Sequence, residues 1–567
     1  MSTTEVSKVA VVDPRIIQTQ PSYAVEKGAV SLTNGKFSAI ANSASSQTYN
    51  VQVPSENVFV DRAVDWTQRV YATIALTLAA GATADKPVLI PGVHFSLAPF
   101  PSHQCVNTMS ATINDSTVTI NTADVLPQVL RLSDLASARR QRTCPTKLDK
   151  LRDVPATLGW DQANNQFTLP RQVSLSSSTG GYSESAYTTD EVACGSWPDF
   201  RFEPFTTSTA HYALNVAGYE GLPCYVATGA SDQVFLINCS WRTTEKLVLP
   251  PFIFSDEYEL STGLFGVQNI QLTVNMATSP ARAFRFSTTS CQATPYQIAP
   301  SVTFSTAGTS PFESPLLNVQ FLTPPIEVDM PAKSVVPWME FPRYISPSFT
   351  AVAGTTASGL TPGASLIESQ TITLPSIPDL LMIYVKPQSY ASSLVGDYVL
   401  PISQISVNFD NFSGLLANHT QEELYKMSVW NGVDMDWATW SGAAWSGTGK
   451  KVATVGGPLV LRPGRDFPLQ SGQAPGLVGN FTFQFTGTCQ NYSTATPVVS
   501  IYVVAVNSGF FETIKGSSRI IKGILTETDI LGATAVAPSQ PLARVVGGAS
   551  AKKMLGMVKK GAMSAYC

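Results

Sequence analysis

The sequence predicts a mostly-β chain built from two similar β domains in tandem. Short segments that alternate apolar and polar residues recur along it, punctuated by 38 Gly and 39 Pro. Helical segments are few and short. A Pro-rich run from Phe321 to Pro331 separates two halves that echo one another.

The strands justify themselves by period. Residues 70–78, 270–276, 405–410 and 481–485 alternate apolar side chains with Thr, Gln, Asn or Tyr, as half-buried strands do. Residues 498–506 are almost continuously apolar and read as a strand buried on both faces. Residues 109–113 and 117–120 flank Asn114-Asp115-Ser116 and read as a hairpin. After it, Asp124 is expected to cap a helix holding Val125, Leu126, Val129, Leu130 and Leu132, with Pro127 tolerated in its first turn. Thr420 and Glu423 have capping-box spacing, Leu424 and Met427 supply a buried face, and Gly432 can end that helix.

The junction follows from proline chemistry. Pro324, Pro325 and Pro331, with Pro337 and Pro342 close behind, lack donors and fix φ, so an extended connector is expected. On either side of it, residues 263–273 (GLFGVQNIQLT) and 476–486 (GLVGNFTFQFT) agree at five of eleven positions. Each reads as a Gly-kinked loop entering an alternating strand.

Composition narrows the function classes. Lys plus Arg number 36 and Asp plus Glu 40, so 13% of the chain is charged, about half the ~25% usual for soluble domains. With 44% hydrophobic residues, disorder and coiled coil are excluded. A net charge of −4 argues against a general nucleic-acid binder. Residues 1–5 show no start of a secretory signal, and the apolar runs have strand length, short of the ~20 residues of a membrane helix. The eight cysteines form no CxxC pair and read as reduced structural thiols.

No catalytic, metal or cofactor residues are expected. His94, His103, His211 and His419 make no HExxH or finger spacing, and no GxSxG elbow, P-loop or GxGxxG fingerprint occurs. Asp434 and Asp436 beside Trp437, Trp440 and Trp445 admit a sugar-binding or glycosidase site. The favoured reading is an exposed loop whose tryptophans pack on a neighbouring subunit. The basic stretch 131–152 lacks interleaved aromatics and reads as a solvated helix end or a charged subunit contact. From 541 to 567 there are five basic residues and no acid. There Lys552, Lys553, Lys559 and Lys560 surround an apolar stripe, weakened as a helix by Gly556 and Gly561 at about 1 kcal/mol each. That tail reads as disordered, or as a contact with genome, inner membrane or a minor protein.

Residues 110–114 and 118–120 with the helix to Arg131, Leu249-Pro250-Pro251-Phe252, and Pro342-Arg343-Tyr344 after the Pro-rich run form a family likeness. Residues 376–386 (SIPDLLMIYVK), 457–461, Gly464-Arg465-Asp466 and 476–481 extend it through the second half. Together they resemble the major capsid proteins of virophages and Polinton-like viruses, in the lineage that includes adenovirus hexon. The resemblance implies an all-β fold of two tandem eight-stranded jelly rolls with short inserted helices. The expected divisions are an N-terminal arm 1–45, a first roll 46–325, a linker 326–330, a second roll 331–515 and a basic tail 516–567. It implies a virion protein, assembled inside the host cell, whose homotrimers form pseudo-hexameric capsomers tiling an icosahedral shell around double-stranded DNA. The implied partners are neighbouring capsomers, penton and minor capsid proteins, and DNA or an inner membrane for the tail. No enzyme activity, small-molecule substrate or cofactor is implied. Such families often encode a protease cutting after Gly-Gly, which Gly547-Gly548 loosely matches. The competing class is a carbohydrate-binding or receptor-binding viral surface or spike protein, with the Trp437–Trp445 loop as its site.

Overall fold

In a computed structural model of the chain, the described residues are 28–55, 57–78, 95–132, 233–252, 263–286, 301–305, 310–327, 332–355, 361–388, 398–445, 451–492, 496–523 and 530, with isolated two- and three-residue strands between 86 and 225. The first half holds β1 (Ser31–Ser38), β2 (Ser46–Gln52), β3 (Asp65–Leu78), β4 (Val106–Ile113), β5 (Ser116–Ile120), β6 (Gln233–Lys246), β7 (Asn269–Met276) and β8 (Phe312–Thr323). They pair antiparallel into two sheets, β1-β8-β3-β6 and β2-β7-β4-β5.

The second half repeats the plan with β9 (Ser334–Glu340), β10 (Gly363–Glu368), β11 (Leu380–Pro387), β12 (Ile402–Phe409), β13 (Phe412–Leu415), β14 (Leu459–Leu461), β15 (Val478–Asn491) and β16 (Val498–Ile514). Its sheets run β9-β16-β11-β14 and β10-β15-β12-β13. Counted within each half, the order is 1-8-3-6 facing 2-7-4-5, the double Greek key of a jelly roll. The fold is two jelly rolls in tandem.

Period-2 burial builds each sandwich. On β7, Ile270, Leu272, Val274 and Met276 are buried, while Asn269, Gln271 and Asn275 face out. The sequence echo falls on the same strand of each roll, β7 and β15, where Ile270 and Leu272 correspond to buried Phe483 and Phe485. Gly266, with φ 77°, makes the expected kink ahead of β7; a Cβ there would meet the Lys515 backbone nitrogen at 2.8 Å. Inside the first roll, the Trp66 indole N–H donates to Tyr49 Oη (2.8 Å), which donates to Gln47 Oε1 (2.7 Å), and Gln47 Nε2 donates to Gln68 Oε1 (3.0 Å). This chain stitches the two sheets together and leaves only the Gln68 Nε2 of the four side chains without a partner. Cys105, Cys239 and Cys489 are buried free thiols, and burial pushes the Cys489 thiol up to about 12.

The longest helix of each roll among the described residues follows its fifth strand. α1 (Thr122–Val129) has Asn121 and not Asp124 at its N-cap position, with no side-chain capping bond, and Pro127 lies in its interior instead of its first turn. Asp124 has another task, in the contact between rolls. α2 (Gln421–Trp430) carries the capping box its spacing predicts: Thr420 Oγ1 accepts from the Glu423 N–H (3.4 Å), and Glu423 Oε2 accepts from the Thr420 N–H (2.9 Å). β1 lies within residues 1–45 and pairs along its whole length with β8. Within 516–567, β17 (Ser517–Ile521) folds back on β16 as a hairpin.

Candidate functional site

The most elaborate polar cluster among the described residues lies where α1 meets the second roll. Inside a helix, Pro127 has no N–H to give the Ala123 carbonyl four residues back. Lys386 on β11 supplies a donor in its place, with Nζ 3.0 Å from the Ala123 oxygen and 3.2 Å from Asp124 Oδ1. Arg343 pairs with the other carboxylate oxygen of Asp124, and Tyr384 Oη donates to the Asp124 carbonyl at 2.6 Å. Tyr384 stacks on Tyr502 of β16 with centroids 5.4 Å apart, and Lys386 Nζ lies 5.0 Å from the Tyr502 ring centre. Burial pushes the Tyr384 phenol far above its usual range, so it stays a neutral donor. Past α1, Leu132 bridges to Val433 and the Asp434 N–H donates to the Arg131 carbonyl (2.9 Å).

A second contact uses the β16–β17 hairpin. Asp115, in the β4–β5 turn, accepts from the Ser518 N–H (2.6 Å) and from the Ser517 hydroxyl (3.0 Å). Those hydrogen bonds hold its carboxyl below the ordinary 3.8. Gly516 N–H donates to Gly266 O at 2.8 Å, and Ser334 Oγ to Gly263 O at 3.3 Å. Arg519 and Lys333 flank Glu512 at 2.6 and 3.0 Å and depress its carboxyl likewise. The loop that opens β7 in one roll is thus the seat for the last hairpin of the other.

A buried His–Glu pair that no motif announces lies inside the first roll and is closed to chemistry. His103 Nδ1 is 2.6 Å from Glu245 Oε2, and both side chains are fully buried. The Val248 N–H donates to His103 Nε2 (3.2 Å), so Nδ1 carries the proton given to Glu245. Glu245 also accepts from the Ser102 and His103 N–H groups (2.8 and 3.1 Å), and Ser102 Oγ bonds Thr243 Oγ1 (2.7 Å). A general base needs a free ring nitrogen within reach of a substrate proton, and this imidazole has none. The dyad ties the turn after residue 100 to β6.

The tryptophan loop divides. Trp437 is 36% exposed, whereas Trp440 is fully buried, its indole N–H donating to Pro458 O at 2.8 Å. Trp440 is therefore not part of an exposed loop: its ring lies against Gly457, where a Cβ would come within 2.1 Å of it. Trp445 belongs to the strand Ala443–Trp445, and its side chain lies outside the described residues. Asp436 caps the short helix Trp437–Trp440, accepting from the Thr439 N–H and hydroxyl, and is not presented as a catalytic acid. Lys552, Lys553, Lys559, Lys560, Gly547 and Gly548 lie outside the described residues, as does the basic stretch beyond Leu132. Among the described residues no group of three or more His, Cys, Asp or Glu is placed to hold a metal ion.

Two family models match the chain: the Sputnik virophage major capsid protein 1st domain over residues 4–322, and the major capsid protein V20 C-terminal domain over residues 341–509. The putative capsid protein V20 of Sputnik virophage is 24% identical over 577 residues, spanning 97% of this chain and 86% of that protein. Among solved structures, the cryo-EM structure of the Sputnik virophage superposes with a TM-score of 0.67 at 21% identity, covering 95% of this chain and 98% of that one. The mavirus major capsid protein superposes at 0.59 with 12% identity, covering 94% and 100%. At such identities the two structural likenesses bear on the fold, and they agree with tandem jelly rolls.

Proposed function

The chain belongs to the Sputnik virophage major capsid protein family and is a structural, non-enzymatic protein of the virion capsid; from that premise we propose that three copies close into a pseudo-hexameric capsomer. Such capsomers would tile an icosahedral shell around double-stranded DNA. The observation that carries this is the shared strand order of the two rolls. Two units of one topology in a chain supply two sectors of a ring, and three chains supply six. The low charge of the chain fits a surface that copies of itself cover, because interface cores are depleted in charge.

In this proposal the chain divides into an arm, a first roll, the 326–330 linker, a second roll and a basic tail. Lys552, Lys553, Lys559 and Lys560 face DNA or an inner membrane, Trp437 packs at a subunit contact, and Gly547-Gly548 is a cleavage point. Penton and minor capsid proteins complete the shell. Electron microscopy of the expressed full-length protein tests the core of it: trimeric particles with a hexagonal outline, or closed shells, are expected. Isolated monomers that bind a glycan would overturn it.

A further inference from the structure

The two contacts between rolls sit at opposite ends of β5 and differ in kind. Asp115 precedes that strand and carries the hairpin contact, whereas Asn121 follows it and starts α1. Five antiparallel residues set the two ends ~17 Å apart. At the α1 end the partners are shut away from water: Tyr384 and Lys386 are buried. Leu132 and Val433, both buried, continue that contact, as does the Asp434 N–H on the carbonyl of buried Arg131. Parting the rolls there uncovers apolar surface and separates charges from their partners.

The hairpin end is fastened by small polar groups. Ser116 gives its N–H to Ser518 Oγ (3.1 Å) and its hydroxyl to Ser518 O (2.7 Å). Ser518 Oγ donates to Ile113 O, and Thr513 Oγ1 to Phe265 O. Asp115 and Ser517 are exposed, so water reaches this seat and offers the same bonds once the hairpin lifts. The hairpin itself is braced to its own roll, where Glu512 pairs with Arg519 and Lys333. The connector enters at this end too. Residues 324–333 lead from β8 to β9, Ile326 within them is fully exposed, and Ser334 next in line bonds Gly263. Ten residues can span up to ~33 Å, so the covalent joint has slack where the hairpin sits.

We propose that the two rolls hinge about α1, and that the β16–β17 hairpin is the latch that holds them closed. When the latch lifts, the Ser116–Ser518 and Gly516–Gly266 bonds exchange for water while the α1 contact persists. The rolls then take a second angle, within the reach of the connector. The hinge is a property of the single chain and stands whatever the chain assembles into.

Hydrogen–deuterium exchange of the full-length protein, read on peptides covering 513–518 and 431–436, tests it. In wild type the Gly516 amide, bonded to Gly266 O, is expected to exchange at least tenfold faster than the Asp434 amide, after correction for intrinsic rates. Asp115→Ala removes no bond of Gly516 itself, yet it is expected to speed Gly516 a further tenfold and leave Asp434 unchanged. A Ser116→Cys, Ser518→Cys pair, once oxidised, ties the hairpin to the first roll. It is expected to slow Gly516 at least tenfold, and reduction to restore the original rate. Equal wild-type rates at Gly516 and Asp434, or an Asp115→Ala variant that leaves Gly516 unchanged, overturn the latch. An Asp115→Ala variant that speeds both amides alike overturns the pivot at α1. Gly516 exchange that ignores the disulfide is fraying of the hairpin within its own roll and overturns the latch as well.

Discussion

β3 and β11 are the third strands of two rolls with one topology, and their outer faces have opposite textures. Every residue of β11, from Leu380 to Pro387, is buried. On β3 the outward positions Asp65, Arg69, Tyr71 and Thr73 are only partly covered, while Trp66, Val70 and Ala72 fill the core. Strands buried on both faces read as continuous apolar runs, and strands buried on one face alternate. The difference shows that texture records what lies on the far side of a sheet: Tyr384 and Lys386 of β11 meet the first turn of α1, and among the described residues no helix lies on the outer face of β3. The polar exceptions in β11 mark the contact, since Tyr384 and Lys386 each reach across to α1.

The largest expected effect breaks that contact. Lys386→Met removes the donor to the Ala123 carbonyl and one of the two cations on Asp124, which keeps Arg343, and is expected to cost about 3 kcal/mol. Thr73→Val, on the outer face of β3, removes an exposed hydrogen bond to Asn238 and is expected to stay within about 0.5 kcal/mol. Urea unfolding of both variants measures the contrast, and equal costs would erase the distinction between the faces. His103→Leu follows at about 3 kcal/mol, because Glu245 keeps two backbone donors but loses its imidazole partner. That loss should lower the unfolding midpoint of the first roll without changing how it meets the second.

Smaller effects sharpen the role of α1. With Pro127→Ala the helix gains an N–H for the Ala123 carbonyl, so Lys386→Met should cost about 1 kcal/mol less in that background than in wild type. A double-mutant cycle with no coupling would separate the proline from the lysine. The smallest effect is at Asp115. Its carboxyl is depressed in the folded chain, so its tie to Ser517 and Ser518 stabilises above the ordinary 3.8 and is lost as pH falls through the lowered value. The thermal midpoint of Asp115→Asn should therefore lie below wild type near neutrality and converge with it in acid.

Much of this was legible from residues. Alternation gave the strands, the Thr420–Glu423 spacing gave the α2 capping box, and the continuous run 498–506 gave the doubly covered β16. The repeated GLxG segment marked the same strand of each roll. Long-range pairing was not legible: Asp124 reads as a cap by local rules, because nothing near it announces Lys386 some 260 residues on. A lysine ending an apolar run was the available signal, since a charge there needs a partner. Trp440 misled for the converse reason: beside Asp436 and Trp437 it looks like part of an aromatic surface, and only its seat on Gly457 shows it as core.

Self-association is the central property of this chain, and the mass of the purified full-length protein in solution tests it most directly. Multi-angle light scattering after size exclusion is expected to give three times 60.6 kDa. A single stable species of 60.6 kDa at concentrations where the protein stays folded and soluble would contradict it.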